Sequence, residues 1–120
     1  PLIAATSIKV LDLLESGSSL RQKLHANSAH FRAGMTALGF KLVAGSHPII
    51  PVMLGDAKLA TEMAARMLDA GIYVVGFSYP VVPQGQARIR TQMSAAHERS
   101  HIARALAAFG KVGKELGVIR

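Results

Sequence analysis

Apolar positions recur along this chain at two spacings, and they divide it into a few short elements. Ile3 to Glu15 is rich in Ala, Leu, Ile and Val and reads as a helix, broken by Ser16-Gly17. Ser18 or Ser19 is placed to cap a second helix. On it Leu20, Leu24, Phe31, Met35 and Leu38 form one apolar stripe, and Gly39 is a natural stop. Phe40 to Val43 reads as a short strand, ended by Gly45-Ser46-His47-Pro48. Ile49-Ile50-Pro51-Val52-Met53-Leu54 is a continuous apolar run of strand length, in which Pro51 predicts an edge position or a bulge. Asp56 then caps a helix reaching Ala70, with Leu59, Met63 and Met67 on one side and Gly71 ending it.

The second half continues the same way. Ile72 to Phe77 is β-branched and aromatic, hence a strand. Ser78 to Gly85 holds Pro80 and Pro83 and reads as an ordered loop. From Ala87 to Met93 the residues alternate, with Ala87, Ile89, Thr91 and Met93 on one face and Arg88, Arg90 and Gln92 on the other. Glu98 to Leu116 is a final helix whose inner stripe is Ile102, Leu106, Phe109, Gly113 and Leu116. This order predicts an α+β fold. A small, mostly antiparallel sheet of about three strands plus a short one carries helices on one face, preceded by two N-terminal helices.

Composition narrows the possibilities. A chain of 120 residues is one domain and buries roughly two thirds of its unfolded surface. It has no cysteine, which removes disulfides and thiolate metal sites. No apolar run approaches the ~18 residues of a membrane span, no signal peptide opens the chain, and a cytoplasmic setting is expected. The net charge of +7 raises the question of nucleic acid. The basic residues outside the β-strand arginines, from Lys9 to Lys114, are spread along the chain rather than clustered with aromatics, so no nucleic-acid partner is expected.

Few residues can carry chemistry. His97 and His101 are four apart at a helix start and could share a face, but no third ligand accompanies them, and capping or surface roles suit them better. No nucleophile elbow, phosphate-binding loop or dinucleotide fingerprint is present. Arg88 and Arg90 remain, projecting from the same face of one strand beside a proline-stiffened loop that could wall a pocket. The planar guanidinium fork bonds both oxygens of a carboxylate and so fixes its orientation.

Three segments carry a resemblance. Pro51-Val52-Met53-Leu54-Gly55-Asp56-Ala57, Gly71-Ile72-Tyr73-Val74, and Gly76 through Arg90 with Thr91 to His97 resemble the glycine C-acetyltransferase branch of the α-oxoamine synthases, a group of fold-type I pyridoxal-phosphate (PLP) enzymes. The match runs to Leu116-Gly117-Val118-Ile119 and is strongest from His47 onward. The resemblance implies an enzyme that joins glycine to acetyl-coenzyme A, giving 2-amino-3-ketobutyrate and coenzyme A, the reverse of a step in threonine breakdown. It implies PLP as electron sink, and a homodimer. It also implies Arg90 as the ligand of the substrate carboxylate, with Arg88 in a structural or weaker electrostatic role.

The family's cofactor lysine, pyridinium partner and phosphate-binding groups have no counterpart in this sequence, and none of Lys9, Lys23, Lys41, Lys58, Lys111 or Lys114 is assigned as the cofactor lysine. The chain therefore looks like the C-terminal part of such an enzyme, in keeping with Pro1 as its first residue. Residues 1–16 would form a connecting helix packed on an absent large domain, and residues 17–120 the small domain. No PLP is expected on this chain alone, and no activity. The alternative is a stand-alone, ferredoxin-like regulatory domain that binds a small ligand, since a β-α-β-β-α order also builds such modules.

Overall fold

A computed structural model describes residues 1–120. The elements in chain order are α1 (Leu2–Ser16), α2 (Ser18–Leu38), β1 (Ile49–Gly55), α3 (Ala57–Asp69), β2 (Val75–Phe77), β3 (Ala87–Gln92) and α4 (Arg99–Glu115). The strands make one antiparallel sheet in the order β1-β3-β2. β3 is thus the central strand, bonded on both sides and rigidly held, and it carries the arginine pair.

Alternation along β3 sorts the sheet into two faces. Ala87, Ile89 and Thr91 are buried and point to the helices. They meet Ile50 and Val52 of β1, both at 0% exposure, against Met63 and Met67 of α3 and Ile102, Phe109 and Val112 of α4. Thr91 is the one polar side chain of β3 on this face, and its hydroxyl donates to the Ile50 carbonyl at 2.7 Å, so this buried hydroxyl is not left unpaired. Phe31 of α2 and Phe40 stack edge-on against Phe109, with ring centroids 6.0 and 5.7 Å away. α3 approaches β2 so closely that a Cβ on Gly76 would lie 3.1 Å from the Ala60 carbonyl oxygen.

Local chemistry explains the element ends. The Asp56 carboxylate accepts the Leu59 N–H at 2.8 Å and caps α3 as expected. Gly39, at φ 98°, closes α2 in the left-handed conformation that favours glycine. Pro51 sits on an edge strand, and the register shifts between Met53 and Gly55 as a bulge. The Pro51 carbonyl faces away from β3, toward the Val43 N–H at 3.3 Å. The N–H that proline lacks would face the same outer side, where no strand requires it.

Several expectations need correction. Phe40–Val43 is not a strand. Only an isolated bridge joins Leu42 to Val52, because Gly45 to Pro48 turn the chain away after one pairing. β2 is shorter than Ile72–Phe77, since Ile72 to Val74 leave the sheet. Neither Ser18 nor Ser19 caps α2. The N-cap is Gly17, with no side-chain cap. Leu20 belongs to no buried stripe and is 60% exposed. The buried face of α2 begins only at Asn27.

α1 stands apart from this core. None of its residues is buried, and Leu2, Ile3, Ile8, Leu11, Leu13 and Leu14 are each more than half exposed. The Arg21 guanidinium bonds the Leu14 carbonyl and holds the helix end against α2. No helix in the structure is long and apolar enough to cross a membrane.

Candidate substrate-carboxylate site

The face of the sheet without helices holds the arginines. Register places Pro51 and Val75 opposite Arg90, and Met53 and Phe77 opposite Arg88, all on one side of the sheet. The face is therefore apolar ground carrying two cations, and no element of the chain covers it.

The two arginines are unequal. Arg88 is turned back on its own strand, with Nε donating to the Gln86 carbonyl at 3.1 Å and Nη2 to Gln86 Oε1 at 3.3 Å. Arg90 is exposed and takes part in no ion pair or hydrogen bond of its side chain within the chain. Its guanidinium carbon lies 4.4 Å from the centroid of the Phe77 ring, one diagonal step away on β2. A cation over an aromatic face is held by the ring quadrupole, while its N–H groups keep their hydrogen-bonding capacity for a ligand. A cavity of about 470 Å³ beside Arg90 lies at the edge of β3 past the end of β2, lined by Ile72, Tyr73, Val74, Val75 and Gln92 and, from the helix side, by Thr91 and Phe109. It opens where Ile72–Val74 leave the sheet.

The proline loop does not wall this cavity. Tyr79, Pro83, Gln84 and Gly85 instead line a separate hollow with Asp56 at the start of α3. The reason is directional: the loop leaves β2 at Phe77, at the end of the sheet where β3 begins, whereas Arg90 lies further along β3. Phe77 is the residue that sequence reasoning missed. It read as a strand aromatic, and only the register of a short β2 puts its ring under Arg90.

His97 and His101 are capping residues and form no metal cluster. His97 Nδ1 accepts the Ser94 N–H at 3.2 Å, and His101 Nδ1 accepts the Glu98 N–H at 3.1 Å. Glu98 in turn bonds Lys23 Nζ at 2.5 Å. That bond, the Lys23 charge and, less strongly, His101 hold its carboxyl below the ordinary glutamate range. The lysines Lys9, Lys41, Lys58, Lys111 and Lys114 are exposed, and Lys23 is committed to Glu98.

Comparison with known proteins gives one consistent picture. Residues 1–109 match the family described as aminotransferase class I and II. The chain is 59% identical over 119 residues to 2-amino-3-ketobutyrate coenzyme A ligase of Escherichia coli K12, covering 99% of this chain and 30% of that protein. It is 49% identical over 119 residues to the mitochondrial protein of the same name from Homo sapiens, covering 28% of it. Among solved structures, a serine palmitoyltransferase from S. paucimobilis with a bound PLP–myriocin aldimine superposes with a TM-score of 0.90 at 31% identity, over 96% of this chain and 29% of that one. The chain thus spans under a third of the length of the relatives it matches. The four helices and three-stranded antiparallel sheet match one segment of the PLP-bound enzyme.

Proposed function

The chain belongs to the aminotransferase class I and II family, and from that premise we propose that it is the C-terminal domain of a PLP-dependent acyltransferase. Its reaction joins glycine and acetyl-coenzyme A to 2-amino-3-ketobutyrate and coenzyme A. The observation that carries the role of this domain is Arg90: a guanidinium on a central strand, seated on Phe77, with no acidic partner in its own chain. The 59% identity with the Escherichia coli ligase supports the choice of reaction.

The residues present do not form a PLP site by themselves. No lysine is enclosed, and none lines the cavity beside Arg90. The groups that hold PLP therefore belong to residues outside this chain, and the domain acts on the substrate side. Arg90 binds the glycine carboxylate through two parallel N–H···O bonds. That fixes the orientation of Cα relative to whatever group withdraws its proton, and holding the reactant in one pose lowers the entropic part of the barrier. Arg88, tied to Gln86, adds positive potential without direct contact. α1 and the bare sheet face are the surfaces that the rest of the enzyme covers.

Family membership over residues 1–109 favours this reading over a free-standing regulatory module. The test is a chimera in which this chain replaces the matching segment of the Escherichia coli ligase. It should form 2-amino-3-ketobutyrate from glycine and acetyl-coenzyme A. A chimera that folds, retains PLP and yet has no such activity would sink the proposal.

A further inference from the structure

A second cavity, of about 360 Å³, lies between the turn after α3 and the first turns of α4, lined by Ile72, Tyr73, His97, His101, Ile102 and Arg104 among others. It plays no part in the carboxylate reading. Both of its imidazoles have Nδ1 occupied by a backbone N–H, from Ser94 at 3.2 Å and Glu98 at 3.1 Å. An imidazole accepting at Nδ1 carries its proton on Nε2, so each ring can only donate to a ligand. The rings stand 6.4 Å apart at 79°. The backbone at His97 is fixed from behind: Asn27, only 3% exposed, donates to the Ser94 and His97 carbonyls at 3.1 and 2.8 Å.

Arg104 follows His101 by three residues and so lies on the same side of α4. It takes part in none of the chain's ion pairs. Its guanidinium rests over bare backbone at Gly71, where a Cβ would sit 2.7 Å from Nη2. No carboxylate lines the cavity. Glu98, between the histidines in sequence, is bonded to Lys23 and to the His101 N–H instead.

We propose that this cavity binds a phosphate group, free or as a small phosphomonoester, through Nε2–H of His97 and His101 and the Arg104 guanidinium. Donors set in different planes suit a tetrahedral oxyanion better than a flat carboxylate, and charge-assisted bonds to phosphate favour arginine. Ile72 and Ile102 give an apolar wall for an ester group.

The experiment is histidine-ring NMR on the full 120-residue chain, titrated at neutral pH with inorganic phosphate and, separately, with phenyl phosphate. The His97 and His101 ring signals should shift saturably, with Kd on the order of 1 mM, while those of His25, His30 and His47 stay put. Arg104→Gln should weaken binding about tenfold or more, with Arg104→Lys intermediate, whereas Arg99→Gln leaves it unchanged. Unaltered Met63 and Met67 methyl signals verify the fold of each variant. Tighter binding of phenyl phosphate would support a phosphomonoester ligand, and equal affinities a free-phosphate site. Shifts that never saturate, that move all five histidines alike, or that survive Arg104→Gln would overturn the proposal.

Discussion

Deleting residues 1–16 should leave the stability of the remaining chain nearly intact. A core helix that buries four or five large apolar side chains contributes roughly 6–15 kcal/mol, at about 1.5–3 kcal/mol for each. α1 buries none. Its side chains nearest the domain, Val10, Leu13 and Leu14, face Leu20, Leu24 and Ala95 across an open groove and are still 47%, 58% and 52% exposed. Their partial cover is worth on the order of 1–2 kcal/mol in total. Urea unfolding of the whole chain and of residues 17–120 should therefore give free energies within about 2 kcal/mol, with only a slightly smaller denaturant slope. Sedimentation should show the whole chain self-associating through its exposed apolar helix and the shorter chain doing so less. A loss above about 4 kcal/mol, or a shorter chain that does not fold, would show that α1 belongs to the core and refute the reasoning.

Other expectations follow from single contacts. In the chimera, Phe77→Leu removes the ring beneath Arg90 and should raise KM for glycine about two- to fivefold, matching ~0.5–1 kcal/mol for an exposed cation–π pair. kcat should stay nearly unchanged and Phe77→Tyr should restore KM; an unaltered KM in Phe77→Leu would mean that the ring does not position Arg90. Asp56→Ala removes the cap of α3 and should cost about 0.5–2 kcal/mol in thermal unfolding. Lys23→Met should raise the titration midpoint of Glu98, followed by carboxyl NMR, because Lys23 is the main cause of its lowered pKa. A lowered folded-state pKa means that the stabilisation is present above the ordinary glutamate value, about 4.3, and is lost as pH falls through the folded-state value. The variant should lose correspondingly less stability over that acid range, and an unmoved midpoint would show that the ion pair is not formed in solution.

The fold was legible where period and punctuation agreed. Alternation on β3, the Asp56 cap and the Met63/Met67 stripe each followed from local pattern, and all are seen. The errors arose where tertiary geometry overrides local preference. Phe40–Val43 has strand-like residues but turns away after a single pairing with Val52. Leu20 continues an apolar stripe, yet α2 meets the core only from Asn27 onward. At the site, alternation alone put Arg88 and Arg90 on one face, and the family resemblance singled out Arg90. The support beneath it was not legible, because it depends on β2 pairing with β3 over three residues in one register. Asn27 and Arg104 were equally silent, since each is defined by partners distant in sequence.

The central claim is that Arg90 binds the substrate carboxylate, and steady-state glycine kinetics of Arg90→Lys in the chimera test it most directly. Lysine keeps the charge but loses the two-pronged fork. Loss of a charge-assisted hydrogen bond costs roughly 1.5–3 kcal/mol, so kcat/KM for glycine should fall about 10- to 150-fold while PLP absorbance and the KM for acetyl-coenzyme A hold steady. A kcat/KM for glycine within twofold of the parent chimera would contradict the account.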